Sequence, residues 1–135
     1  MKSSPDESCK VILDTNALMV PEQLGVDIFD ELLRLGYSSW LVPAAVLGEL
    51  RSLSRKADKG RDKTAARVAL GLAEGCTVIG KDDSDADSAI EKLALETKAA
   101  VFTNDKALKK RLFSKGITVI YLRQGQYLET TQKEY

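Results

Sequence analysis

The 135-residue chain contains no histidine. That absence removes Ser-His and Cys-His nucleophile pairs, histidine general bases and imidazole metal ligands together. Any catalysis must therefore use carboxylates, lysine, hydroxyls or metal-bound water. Cysteine is nearly absent too: Cys9 and Cys76 stand far apart with no CxxC pairing, which argues against zinc. Reduced thiols are expected. Aromatic residues make up 6% of the chain, and Trp40 falls in an apolar strand, so stacking platforms for single-stranded polyanions are not evident. No apolar run approaches a membrane span, and Met1 to Glu7 lacks a signal-peptide core. A soluble, cytoplasmic protein without membrane contact is the expectation. Net charge is absent as well, with 20 basic and 20 acidic residues, so only the distribution of charge can speak of partners.

What is present is enough for one core, 44% hydrophobic residues in a length that suits one domain. Lys10-Val11-Ile12-Leu13 reads as a central parallel strand buried on both faces, and it stops on Asp14-Thr15-Asn16. Thr15 to Met19 begins a turn that Pro21 ends, and Leu24 to Gly36 reads as a helix. A second strand covers Ser39 to Val42. Pro43 fits the first turn of the next helix, with Ala44, Val46, Leu47 and Leu50 buried and Glu49 off that stripe. Gly60 breaks the following basic stretch, and a helix through Ala65, Ala69 and Ala73 closes at Gly75. Strands at Cys76–Ile79, Ala99–Phe102 and Ile117–Leu122 alternate with helices over Ala86–Thr97 and around Lys106–Lys115. Arg123 to Tyr135 is polar and expected to fray. The alternation predicts an α/β sheet with helices on both faces, in one domain spanning 9–128 with flexible tails at 1–8 and 129–135.

Four acidic residues fall where such a sheet does chemistry, just beyond the carboxyl ends of its strands. Asp14 and Asp105 each end a strand, Asp87 begins a helix leaving the same edge, and Glu49 lies in the first turns of another. Each has a structural alternative. Asp14 and Asp105 are placed as helix caps, worth about 1 kcal/mol apiece. Ser84-x-x-Asp87 matches a capping box. Glu49 could be solvated. Convergence of all four would raise their pKa values, and a divalent cation resolves that repulsion. An oxygen-only site prefers hard cations such as Mg²⁺ or Mn²⁺.

Ile-Leu-Asp14-Thr-Asn, Pro43-Ala-Ala-Val-Leu-Gly-Glu49-Leu, Ala86-Asp87-Ser-Ala-Ile and Phe-Thr103-Asn-Asp105-Lys-Ala-Leu, in that order and spacing, resemble the PIN-domain nucleases. The likeness runs from about Cys9 to Leu128. Within the family, Tyr121-Leu-Arg near the end is similar to archaeal PIN proteins related to ribosomal-RNA processing nucleases. The resemblance implies a five-stranded parallel sheet in the order 3-2-1-4-5 and a metal-dependent nuclease acting on RNA. It implies that Asp14, Glu49, Asp87 and Asp105 form the catalytic metal site, supported by hydrogen bonds from Asn16 and Thr103. Ala107 departs from the family, many of whose members are acidic there, which weakens the case for a second metal.

The implied reaction is metal-assisted phosphodiester hydrolysis by activated water, leaving a 5′-phosphate and a 3′-hydroxyl. Two basic stretches are candidates for holding RNA: Arg51, Arg55 and Lys56, continued by Lys59, Arg61, Lys63 and Arg67, and then Lys106, Lys109 and Lys110, continued by Arg111 and Lys115. Either could equally be a solvated helix face. Single-stranded or loop RNA is the expected substrate, because an A-form duplex hides its bases. A homodimer is a family expectation. The alternatives are the toxin ribonuclease of a toxin–antitoxin pair, with an antitoxin rather than a ribosome-assembly partner, and an RNA-binding module that has lost turnover.

Overall fold

The computed structural model describes residues 9–56 and 60–131, without the side chains of Lys56 and Arg61. Lys59 and the tails at 1–8 and 132–135 lie outside the described residues. The elements are β1 (Lys10–Leu13), α1 (Thr15–Leu24), α2 (Ile28–Arg34), β2 (Ser39–Pro43), α3 (Ala44–Lys56) and α4 (Gly60–Ala73). They continue as β3 (Thr77–Ile79), α5 (Ala86–Thr97), β4 (Ala100–Phe102), α6 (Lys106–Ser114), β5 (Val119–Arg123) and β6 (Tyr127–Thr130).

The sheet order is β3-β2-β1-β4-β5-β6. Its first five strands are parallel in the order the resemblance implies, with Val11 opposite both Trp40 and Ala100. Val11, Ile12 and Leu13 point alternately to the two faces, and all three have no exposure, so both faces are covered. Helices α1, α3 and α4 pack together, α5 lies against β2 and β4, and α6 lies against β5. Because β1 and β4 run side by side in register, Asp14 and Thr103 leave the same edge on neighbouring strands. The amide of Asp14 still bonds to the carbonyl of Phe102 at 3.1 Å.

The sixth strand corrects the sequence expectation. Tyr127–Thr130 does not fray but pairs antiparallel with β5, through a turn in which Gln124 and Gly125 both take positive φ. Leu128 is buried. The outer edge of this strand is closed from a distance. Glu31 on α2 accepts from the Leu128 amide at 2.9 Å, and Arg34 donates to the Leu128 carbonyl at 2.8 Å. Those partners lie 97 and 94 residues away, so local polarity concealed the strand. The parallel sheet is thus five-stranded with an added antiparallel edge, and 129–131 belong to the domain rather than to a tail.

Three smaller expectations change. Helix α1 runs through Pro21 to Leu24 instead of stopping, and Gly25 ends it in the left-handed conformation. Pro21 forgoes only its own N–H bond there, and burial of Ala17, Leu18, Met19 and Val20 holds the helix together. Pro43 is the last residue of β2, opposite Ile79, rather than the first turn of α3. The α5 cap is Asp85, which accepts from the Ser88 amide at 3.0 Å, so Ser84 and Asp87 form no capping box. That leaves the Asp87 carboxylate uncommitted to the helix start.

Candidate active site

Asp14 ends the central strand at 4% exposure. Its Oδ1 accepts from the Thr15 amide at 2.7 Å, and its Oδ2 accepts from Asn16 Nδ2 at 3.0 Å and Thr103 Oγ1 at 2.6 Å. Three donors leave about one of a carboxylate's four lone-pair directions open. Burial pushes the Asp14 pKa up from its ordinary value; the hydrogen bonds from Thr103 and Thr15 oppose this, and the charges of Asp87 and Glu49 add to it. Its supports are themselves held. Thr103 Oγ1 accepts from the Asp105 amide at 3.1 Å, so one hydroxyl links two of the acidic positions. Asn16 Oδ1 accepts from the Asn104 amide at 3.0 Å, which forces the NH₂ of Asn16 toward Asp14. Asn104 Oδ1 in turn accepts from the Leu122 amide at 2.8 Å, tying the site to β5.

Glu49 and Asp87 approach from the other side. Glu49 Oε1 accepts from Thr15 Oγ1 at 2.6 Å, so the residue after Asp14 orients it. Glu49 and Asp87 line one open cavity of about 430 Å³ with Ala45, Ser84, Asp85 and Ala86. Burial raises the Asp87 pKa, followed by repulsion from Asp105 and Asp85; Arg111 opposes, and Glu49 adds a smaller push. Asp105 is exposed and caps α6, accepting from the Leu108 amide at 3.0 Å, so its structural role is real.

Asp14 thus feels the charge of Asp87 and Glu49, and Asp87 that of Asp105 and Glu49. Among the described residues, no three acidic or thiol side chains are set as a ready-made metal cage. The donor chemistry nonetheless fits a hard divalent cation. Every donor is oxygen, Asp14 keeps an open direction, and Mg²⁺ commonly takes only one or two carboxylates while retaining water. Cysteine contributes nothing: both thiols are unpaired, and burial pushes that of Cys76 up to about 11.

Thr15 and Asn104 carry supporting roles that sequence reasoning did not assign. Their signal was present in the paired strand endings Asp14-Thr-Asn and Thr103-Asn-Asp, which parallel pairing of β1 and β4 sets side by side. The basic candidates separate. On α3, Arg51 and Arg55 are exposed and lie about 160° and 120° around the helix from Glu49. On α6, Lys106 directly follows the Asp105 cap, and the ammonium of Lys109 stands 3.6 Å from the centre of the Tyr121 ring.

Fold and site together define an α/β domain with an acidic, histidine-free centre at the carboxyl edge of a parallel sheet. Residues 11–125 match the PIN like domain, and the chain belongs to that family. It is 34% identical to Ribonuclease VapC9 of Archaeoglobus fulgidus over 115 residues, covering 85% of this chain and 84% of that protein. It is 30% identical to Ribonuclease VapC4 of Methanocaldococcus jannaschii over 124 residues, covering 89% and 95% respectively. Among solved structures it resembles the PIN domain endonuclease Utp24, with a TM-score of 0.75, 26% identity and 94% of each chain covered. A domain of a functionally unknown protein from Methanocaldococcus jannaschii shares the fold, with a TM-score of 0.59 at 20% identity over 95% of this chain and 96% of that one.

Proposed function

We propose that this chain is a divalent-metal-dependent endoribonuclease of RNA processing, acting on single-stranded or loop RNA. The observation that carries the reading is Asp14. It is a buried carboxylate, oriented by three donors, with an open direction and a pKa raised by burial and, to a smaller extent, by Asp87 and Glu49. Relatives named ribonucleases and a structural relative named an endonuclease support both halves of the activity.

Asp14, Asp87 and Asp105 would hold Mg²⁺ or Mn²⁺, with Glu49 beside them. A bound cation of this kind supplies Lewis acidity at the phosphate and lowers the pKa of water there. The protein's own work is orientation. Thr103 and Asn16 fix the Asp14 carboxylate, and Thr15 occupies one oxygen of Glu49, leaving the other to direct a water. No side chain serves as a covalent nucleophile. A ribosome-assembly partner suits the processing role; an antitoxin would replace it in a toxin–antitoxin pair, and a small adjacent reading frame encoding one would decide. A homodimer stands as a family expectation.

The test is cleavage of labelled structured RNA in Mn²⁺, Mg²⁺ or EDTA by wild type and Asp14→Asn. Internal cuts in either metal, lost in EDTA and in the variant, are expected. The wild type should also melt at a higher temperature with Mn²⁺, because a ligand bound only to the folded state stabilises it. Cleavage that persists in the folded Asp14→Asn protein would refute this assignment.

A further inference from the structure

One face of α6 carries Lys106, Lys109, Lys110 and Phe113 at successive i, i+3, i+4 and i+7 positions. Leu108 and Leu112 claim the opposite side for the core. Phe113 is 43% exposed and is the sole exposed aromatic among the described residues. Tyr37 and Tyr127 are half-buried, and other rings are engaged elsewhere. Trp40 packs on Phe29 with centroids 4.6 Å apart and planes tilted by 51°, Phe102 is fully buried, and Tyr121 lies beneath Lys109. With Thr131, the four α6 residues line an open cavity of about 480 Å³, walled by lysine stems and the phenyl ring.

The cations of α6 divide by side. Arg111 and Lys115 both pair with Glu91 on α5. Lys106 and Lys110 form no ion pair among the described residues. An apolar ring bordered by unpaired ammonium groups complements a nucleotide, which joins an apolar base to an anionic phosphate. A second copy of this chain docked two-fold here would set lysine against lysine. The face also begins at Asp105. Phe113 lies eight residues farther along the helix, about 12 Å away.

We propose that this face of α6 binds the single strand leading from the acidic site, with one base stacked on Phe113 and flanking phosphates on Lys106 and Lys110. The proposal rests on the ribonuclease reading for the identity of the strand. Lys109 supports the platform through Tyr121 rather than gripping phosphate. Stacking requires an unpaired base, so a duplex is excluded from the face. It is tolerant of sequence, because every base has a π-face.

The experiment titrates single-stranded RNA carrying 2-aminopurine at successive positions into the protein in EDTA, so that cleavage does not intervene. Wild type should quench the fluorescence at one position. Phe113→Ala and Phe113→Leu should bind about tenfold or more weakly, without quenching and with an unchanged salt slope. Phe113→Tyr should retain both. Lys106→Gln and Lys110→Gln should each lower the salt slope by about 0.7. The ring is exposed, so the variants should melt with the wild type. Wild-type affinity and quenching in Phe113→Ala would overturn the proposal. So would unchanged RNA binding alongside lost self-association or lost binding of an acidic peptide, which would make the face a protein interface. Cleavage in Mn²⁺ by the same proteins separates the two readings. A wild type that binds and stacks RNA but never cuts it sinks the nuclease alone, and a cutting wild type with an indifferent Phe113 sinks the platform alone.

Discussion

The hydroxyl of Thr103 serves two carboxylates, donating to Asp14 and accepting from the amide that carries Asp105. Thr103→Val keeps the shape and removes both bonds. It leaves a polar N–H without its partner, so urea denaturation should show a loss of about 1–3 kcal/mol. RNA cleavage should fall with it, because Asp14 loses one of three orienting donors. Thr103→Ser should restore both. Gly48 poses a different residue-scale question, since an added Cβ would overlap the carboxylate of Asp82. Asp82 is exposed and can swing aside. Gly48→Ala should therefore stabilise α3 by up to about 1 kcal/mol in thermal melts. A fall in cleavage without loss of fold would show that the position of Asp82 matters to the neighbouring Glu49.

At the scale of elements, α2 acts as a latch on β6. The Arg34 side chain, and then the Leu128 amide, hold the pKa of Glu31 below the ordinary glutamate value. A depressed carboxylate stabilises the fold above its unfolded pKa, and that contribution disappears as the pH falls through the lower folded value. Amide exchange measured across this window should therefore show Leu128 losing protection in acid before the amides of β1 do. Glu31→Gln should flatten that pH dependence. Glu31→Ala should lower Leu128 protection at every pH while leaving β1 unchanged, because the buried central ladder does not depend on the latch. Equal protection of Leu128 in wild type and Glu31→Ala would show that β5 alone holds the strand.

For the whole molecule, the α6 lysines begin directly after the Asp105 cap, whereas the arginines of α3 are turned from Glu49. Arg51 and Arg55 share α3 with Glu49 but lie about 160° and 120° around the helix from it. Arg51→Gln with Arg55→Gln should leave RNA affinity and its salt slope unchanged, with stability moving by no more than about 0.5 kcal/mol. A flattened slope in filter-binding titrations would return α3 to the RNA path.

Sequence by itself marked an alternation of short apolar strands and helices, with Val11-Ile12-Leu13 suited to a strand buried on both faces, to which the resemblance added the five parallel strands and their order. It also placed Asp14, Glu49, Asp87 and Asp105 at candidate positions, because strand ends and helix starts are marked by local chemistry. It did not reveal Thr15 on Glu49, Asn104 on Asn16, or Glu31 and Arg34 on Leu128. Those bonds join residues 34 to 97 positions apart, and no periodicity records them. Nor could composition separate Arg51 and Arg55 from Lys106 and Lys110. Charge density along the chain is similar in both stretches, and only the rotation of each helix against its core decides which of its charges stand exposed. Tertiary structure alone also left Phe113 exposed. Its spacing is compatible with a buried helix face, and the packing of Leu108 and Leu112 against the core turned it outward.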